Sequence, residues 1–292
     1  MEKYTFVKGY RENEPLRDSF NQLATKTFGI DFEIWYRNGF WTDKYQPYSF
    51  TDNGKIVANV SVNILNLVIN NEEKQAVQIG TVMTHPDYRN QGLAKQLMDK
   101  VLKDYSNVDL IYLFANDSVL DFYPKFGFES VEEIQFSMDY GHVPSNQVRV
   151  RKLDGRKPDD LAFINNLAAR RHPISRIFGT TSTEELLMFY CVMVFSQDLY
   201  YLEEEQALVI YQIDENVLHL YDLVSMEKVK VLDILSKISN ENINQIVFHF
   251  TPDENELELE KQSYHSDTVL FVKNITRAVL PLEFKHPITS QA

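Results

Sequence analysis

Residues 80–98, "GTVMTHPDYRNQGLAKQLM", carry the residue types and spacing with the clearest chemical meaning in this chain. A β-type run ends before Pro86. A polar turn of Arg89, Asn90, Gln91 and Gly92 follows, and helical apolar spacing begins at Leu93. The first amides of a helix have no intrahelical acceptors and carry partial positive charge. A glycine beside them lets the backbone approach a ligand with no Cβ in the way. Together these suit a phosphate. No Lys-Ser/Thr pair follows the glycine, which argues against a P-loop. The three spaced glycines of a dinucleotide fingerprint are also absent. A pyrophosphate cradle made from one short turn remains. The single cysteine, Cys191, lies in "LLMFYCVMVF" and reads as a small buried hydrophobe. One thiol excludes an internal disulfide and a cysteine-held metal cluster.

Such a cradle needs a strand before it and a helix after it. The strand reads as Ala76–Met83. The helix reads as residues 93–105, with Leu93, Leu97, Met98, Val101, Leu102 and Tyr105 on one stripe. "DLIYLFA" at 109–115 is a fully apolar strand, as the middle of a parallel or mixed sheet requires. "SVLDFYPKFGF" then reads as a short helix capped at Asp117/Ser118 and stopped by Pro124 and Gly127. "ESVEEIQFSMDY" reads as one closing strand. Upstream lie a strand at 4–10, a helix at Leu16–Phe28 and an aromatic-rich helix within 30–41. A "TDNG" hairpin turn joins Tyr48–Phe50 to the long run Ile56–Ile69.

The stretch 141–147, "GHVPSNQ", reads as a linker. After it the order repeats: strand "VRVRKLD", helices at Asp159–Arg171 and Glu184–Phe195, strands "LYYLEEE", "QALVIYQID" and "NVLHLYDLVS", helix Val229–Ile238, strand "QIVFHF" and late strand "DTVLFVKN". The expected class is α/β (α+β), a mixed central sheet flanked by helices, in two similar halves, 1–140 and 148–292. Where the first half has "HPDYRNQGLAK", the second has "MEKVK", without a glycine. The acidic run 253–260, "DENELELE", reads as a solvated loop.

The chain has 292 residues, 44% of them hydrophobic and 24% charged, which is ample for a core. A net charge of −13 argues against nucleic acid or an anionic membrane as a partner, since both call for basic faces. The apolar run Leu186–Phe195 is shorter than the roughly 20 residues of a membrane span. The start lacks the apolar core of a signal peptide, so a cytoplasmic location is expected.

"YRNQGLAKQL" resembles the acetyl-coenzyme A signature of the GCN5-related N-acetyltransferases (GNAT), Arg/Gln-x-x-Gly-x-Gly/Ala, with Arg89, Gly92 and Ala94 at its defining positions. The strand ending "VMTHP", the helix after the turn, the strand ending at Asn116 and "DFYPKFGF" resemble that family in the same order. The resemblance covers residues 3–140 and implies the acyl-coenzyme A N-acyltransferase fold. It implies that the amides of Asn90, Gln91, Gly92, Leu93, Ala94 and Lys95 hold the coenzyme pyrophosphate. Val82, Met83 and Thr84 would pair with the pantetheine arm as an added strand, and the N–H of Val82 or Met83 would meet the thioester oxygen. Asn116 would contact the coenzyme, and Tyr123 would give a proton to the departing thiolate. Helices near Trp35, Tyr36 and Trp41 would cover the acceptor side; Phe40 belongs to the same aromatic set.

One departure stands out. Where some members carry a glutamate base, this chain has Gln78, and an amide cannot take a proton at neutral pH. His85, Asp31, Glu33 and the C-terminal carboxylate of Ala292 are the open alternatives, as is ordered water. The implied reaction is transfer of acetyl from acetyl-coenzyme A to a primary amine of a small molecule or protein, with no metal. The alternatives are a non-catalytic acyl-coenzyme A-binding module and a tandem-fold aminoacyl transferase. The second half is expected to have lost its coenzyme site. The acceptor's identity and the oligomeric state are not legible.

Overall fold

The computed structural model describes residues 3–143 and 149–292, so the expected linker lies largely outside the described residues. The first half runs β1 (Thr5–Lys8), α1 (Glu14–Phe28), α2 (Glu33–Arg37), β2 (Tyr45–Asp52), β3 (Lys55–Ile69), β4 (Glu72–Thr84), α3 (Leu93–Asp104), β5 (Leu110–Asn116), β6 (Glu129–Val131) and β7 (Ile134–Asp139). The second runs β8 (Val150–Leu153), α4 (Pro158–Ala168), β9 (Phe178–Thr181), α5 (Glu184–Met193), β10 (Leu199–Leu202), β11 (Ala207–Asp214), β12 (Val217–Val224), α6 (Val231–Ile238), β13 (Gln245–Phe248), β14 (Glu260–Ser263) and β15 (Thr268–Asn274).

Two mixed sheets result. The first has the order β1-β2-β3-β4-β5-β15-β6, with β9 added to the end of β3. The second has the order β14-β7-β13-β12-β11-β10-β8. Each contains a single parallel contact, β4 with β5 and β12 with β13, and a helix makes each crossover. The expected similarity of the halves is therefore present strand by strand.

The halves nevertheless exchange a strand. The segment "ESVEEIQFSMDY" is not one closing strand: Glu129–Val131 pairs with β15, while Ile134–Asp139 pairs with β13 and β14 in the other sheet. The break falls at Glu132-Glu133, where two carboxylates interrupt the apolar alternation. Glu133 is buried at the crossing and paired with Lys285 at 3.3 Å. Neither 1–140 nor 148–292 is thus a closed unit, because the first lacks β15 and the second lacks β7. "SVLDFYPKFGF" also departs from expectation, forming two 3-10 turns, Asp117–Val119 and Tyr123–Phe126, because Pro124 cannot supply a helical amide.

Packing joins the halves again. Phe20, Phe32, Trp35 and Trp41 share one core with Leu187, Met188, Cys191 and Leu199. Cys191 is fully buried, as expected. Residues 284–290 lie between the sheets: Ile288 donates its N–H to the His249 carbonyl of the second, and the Ser290 carbonyl accepts from Gln78 of the first.

Candidate active site

The site starts from a defect in β4. Gly80 faces Ser61 and Met83 faces Asn59, so Thr81 and Val82 together oppose one residue of β3. Thr81 sits at φ +50°, costly for a β-branched residue, so its surroundings must hold it there. Asn59, fully buried, gives its amide N–H to the Thr81 carbonyl at 2.8 Å and to Ser61 Oγ at 2.9 Å. Its Oδ1 accepts from Ser49 Oγ at 2.7 Å, and Ser49 in turn bonds the Tyr10 hydroxyl at 2.8 Å. From the other side Tyr45 bonds Thr81 Oγ1 at 3.0 Å. The bulge turns the strand at the point where its parallel neighbour leaves. The last β4–β5 pair is Ile79 with Leu113. Beyond it the strands part, and Val82, Met83 and Thr84 face Phe114 and Asn116 across an open cleft.

The cradle closes the end of the cleft. Asn90 and Gly92 both take positive φ, +61° and +73°, bringing the chain into α3 with its amides turned outward. No side chain caps α3 and no acid lies in its first turn, so these amides remain available to an anion. Arg89, Asn90, Gly92, Leu93, Ala94 and Lys95 line the cleft. The Gln91 side chain does not. It accepts hydrogen bonds from Lys3 and Tyr4 and so fastens the start of the chain to the turn.

The second half shows what a closed cradle looks like. Val231 opens α6, and its N–H donates to both carboxylate oxygens of Glu254, at 3.0 and 3.2 Å. Lys228 pairs with Asp253 beside it. The run 253–260 is thus not simply solvated: Glu254 takes the anion position at this helix, and Leu257 is buried in the second core.

Tyr123 comes from the 3-10 turn after β5 and is 4% exposed. Its ring packs on Phe122, Phe128 and Phe271, the last supplied by β15. Burial pushes its pKa up to about 12, so the phenol keeps its proton throughout the neutral range. It borders the same cavity as Met83 and Asn116.

That cavity measures about 930 Å3 and continues past the bulge to a second wall. Of the expected acceptor-side residues, Trp35 lines it. Trp41 does not; its indole N–H is bonded to the Tyr45 carbonyl at 3.2 Å inside the core. Tyr36 also lies off the cavity, stacked under Arg17 at 3.7 Å and bonded to Glu12. Sequence reasoning missed Asn63, Thr81 and the α5 residues Phe189 and Tyr190. Nothing in a helix 100 residues downstream announces that it reaches this site.

The open alternatives for a base are also placed. Glu33 is held by Arg17 and Arg37, which keep its carboxyl below the usual range, and neither it nor Asp31 lines the cavity. His85 accepts from the Asp87 N–H and lies 3.4 Å from Lys26 Nζ, outside the cavity. Gln78 is fully buried and structural: its Nε2 donates to Tyr112 Oη and the Ser290 carbonyl, both at 2.8 Å, and its Oε1 accepts from Ala292 N. Ala292 itself lines the cavity, so close to Gly80 that a Cβ there would meet it at 3.2 Å.

The family model described as an acetyltransferase (GNAT) domain matches residues 13–131. An uncharacterised N-acetyltransferase of Gracilaria tenuistipitata is 42% identical over 52 residues, 17% of this chain and 29% of that protein. One from Methanocaldococcus jannaschii is 25% identical over 155 residues, 46% of this chain and 67% of the relative. Less than a third of the first relative is thus spanned. Among solved structures, a probable N-acyltransferase from Enterococcus faecalis superposes with a TM-score of 0.63 at 14% identity, covering 93% of this chain and 72% of that one. A GCN5-related N-acetyltransferase from Kribbella flavida gives 0.59 at 16% identity, covering 94% and 72%. At these identities the two structures speak for the fold, and they do so across both halves.

Proposed function

We propose that this chain works as a GNAT-type transferase that moves the acetyl group of acetyl-coenzyme A to a primary amine; the match of residues 13–131 to an acetyltransferase (GNAT) domain supports this. One observation carries the reading. An uncapped helix N-terminus, a parted strand pair and a buried phenol all open onto one cavity.

The chemistry follows from the placement. The uncapped amides at the start of α3 receive the pyrophosphate, and the free edge at Val82–Thr84 takes the pantetheine arm as an added strand. The neutral amine attacks the thioester carbonyl carbon. The N–H of Val82 or Met83 stabilises the oxyanion that forms. As the C–S bond breaks, the Tyr123 hydroxyl gives its proton to the thiolate, and the proton lost by the amine nitrogen restores the phenol through water. The products are the amide and the free thiol. Among the described residues no carboxylate or imidazole side chain lines the cavity, so the ammonium form of the acceptor gives up its proton to the terminal carboxylate of Ala292 or to water before it attacks.

Thiol release from acetyl-coenzyme A over an amine panel tests this directly. Tyr123→Phe should lower kcat by roughly 100-fold or more, the usual worth of a placed general acid, while coenzyme affinity by calorimetry stays within twofold. Equal loss of both would make Tyr123 a packing residue. Coenzyme binding without turnover of any amine would leave only the binding-module reading.

A further inference from the structure

The far wall of the cavity defines the acceptor, given the transferase reading above. Phe32, Trp35 and Tyr45 from the first half pack with Phe189 of α5 into one aromatic wall, and Tyr190 and Phe28 also line the cavity. The rings are ordered against one another. Phe32 stacks on Tyr45 at 5.7 Å, and Phe189 stands edge-on to Trp35 at 6.0 Å.

Charge is missing from this wall. Among the described residues none of the chain's 42 acidic side chains lines the cavity; its charged lining groups are Arg89 and Lys95 at the cradle and the terminal carboxylate of Ala292 beside Gly80. The acids nearest the wall are already neutralised. Glu185 accepts from Thr42 and Lys44, and Glu33 is paired with Arg17. A polycation placed here would lose hydration at several ammonium groups and find one terminal carboxylate in return, so most of its charges would stay unpaired.

One polar group breaks the apolar surface. Asn63 lines the cavity, is 4% exposed, and its Nδ2 has no hydrogen-bond partner. A buried donor of this kind is costly to leave unmet. An oxygen on a bound molecule would satisfy it.

We propose that the acceptor is a primary amine on an aromatic or branched apolar body that also presents a hydrogen-bond-accepting oxygen to Asn63, and that polyamines and aminoglycosides are poor acceptors. The second half then sets specificity through α5, although its own coenzyme cradle is closed.

The test uses the full chain with acetyl-coenzyme A and four amines: phenylalanine amide, phenethylamine, spermidine and kanamycin. Phenylalanine amide should give kcat/KM at least about tenfold above spermidine and kanamycin, with phenethylamine between. Phe189→Ala should raise KM for phenylalanine amide about tenfold, and Phe189→Leu by less, with coenzyme affinity unchanged. Asn63→Ala should remove the advantage of phenylalanine amide over phenethylamine. Spermidine or kanamycin used equally well, or an unchanged KM in Phe189→Ala, overturns the proposal and leaves the transferase reading intact. If no amine is turned over, the transferase reading fails. Calorimetry on the coenzyme-bound protein then decides the pocket. Selective binding of phenylalanine amide upholds the assignment of the wall, and binding of spermidine, or of neither, overturns it.

Discussion

At the scale of single residues, the turn that opens α3 was legible and the bulge was not. Arg89, Gly92 and Ala94 stand out because a tight turn into an uncapped helix calls for particular residue types, Gly92 at positive φ among them. Thr81 hides because a β-branched residue is the last expected at φ +50°. What fixes it is Asn59, 22 positions earlier and reached only by folding. Strain at such a position costs of order 1–3 kcal/mol, and a buried donor to the Thr81 carbonyl offsets part of it. Asn59→Ala should therefore let the Thr81–Val82 peptide relax and turn the proposed oxyanion donor away. Its kcat should fall by roughly tenfold to 100-fold, in line with removal of an oxyanion contact, with the coenzyme KM changed little because the cradle is untouched. Steady-state kinetics with both substrates varied separates the two. A rise in coenzyme KM without a fall in kcat would contradict this role.

Elements read differently in the two halves although their order is the same. Apolar spacing located α3 and α6 well, since each buries a stripe on its sheet. Spacing gave no sign of what stands at their N-termini. In α3 the amides stay open; in α6 the carboxylate of Glu254 satisfies Val231. The acidic run looked solvated because charge blocks usually are, and the contact that draws Glu254 inward is long-range. Capping contributes typically 0.5–2 kcal/mol. Glu254→Ala should cost about 1 kcal/mol of stability, read as a lower urea midpoint, while coenzyme binding to the full chain keeps its stoichiometry of one. Binding of a second coenzyme by Glu254→Ala would mean that the α6 site is blocked by Glu254 alone; an unchanged midpoint would mean that the cap contributes nothing.

For the whole molecule, the halves were legible as a repeat, but their exchange of β7 and β15 was not, because pairing partners more than 100 residues apart leave no local pattern. The exchange is sealed by a buried polar chain between the sheets. His286 is fully buried, and its Nδ1 lies 3.0 Å from the Pro287 carbonyl and its Nε2 3.0 Å from Tyr112 Oη. The carbonyl can only accept, so Nδ1 carries the proton, Nε2 takes the Tyr112 proton, and Gln78 donates to Tyr112 Oη. Every link requires neutral imidazole. Burial accordingly pushes the His286 pKa down to about 3, and that of His249 likewise. The sign follows from proton uptake. Between an unfolded value near 6.5 and a folded value of about 3, the unfolded chain binds a proton that the folded chain refuses, so stability is full above pH 6.5 and falls with acid. The slope approaches about 1.4 kcal/mol per pH unit for each histidine. Glu133, whose pKa is raised by burial, works in the opposite sense, since its folded form takes a proton first as pH falls. It is present in wild type and variant alike. Urea unfolding at pH 7, 6 and 5 should therefore show the wild type losing stability more steeply than His286→Gln, which is weaker at pH 7 but flatter below it. Parallel pH dependences would show that His286 accepts its proton without unfolding, and that the two sheets are not locked through it.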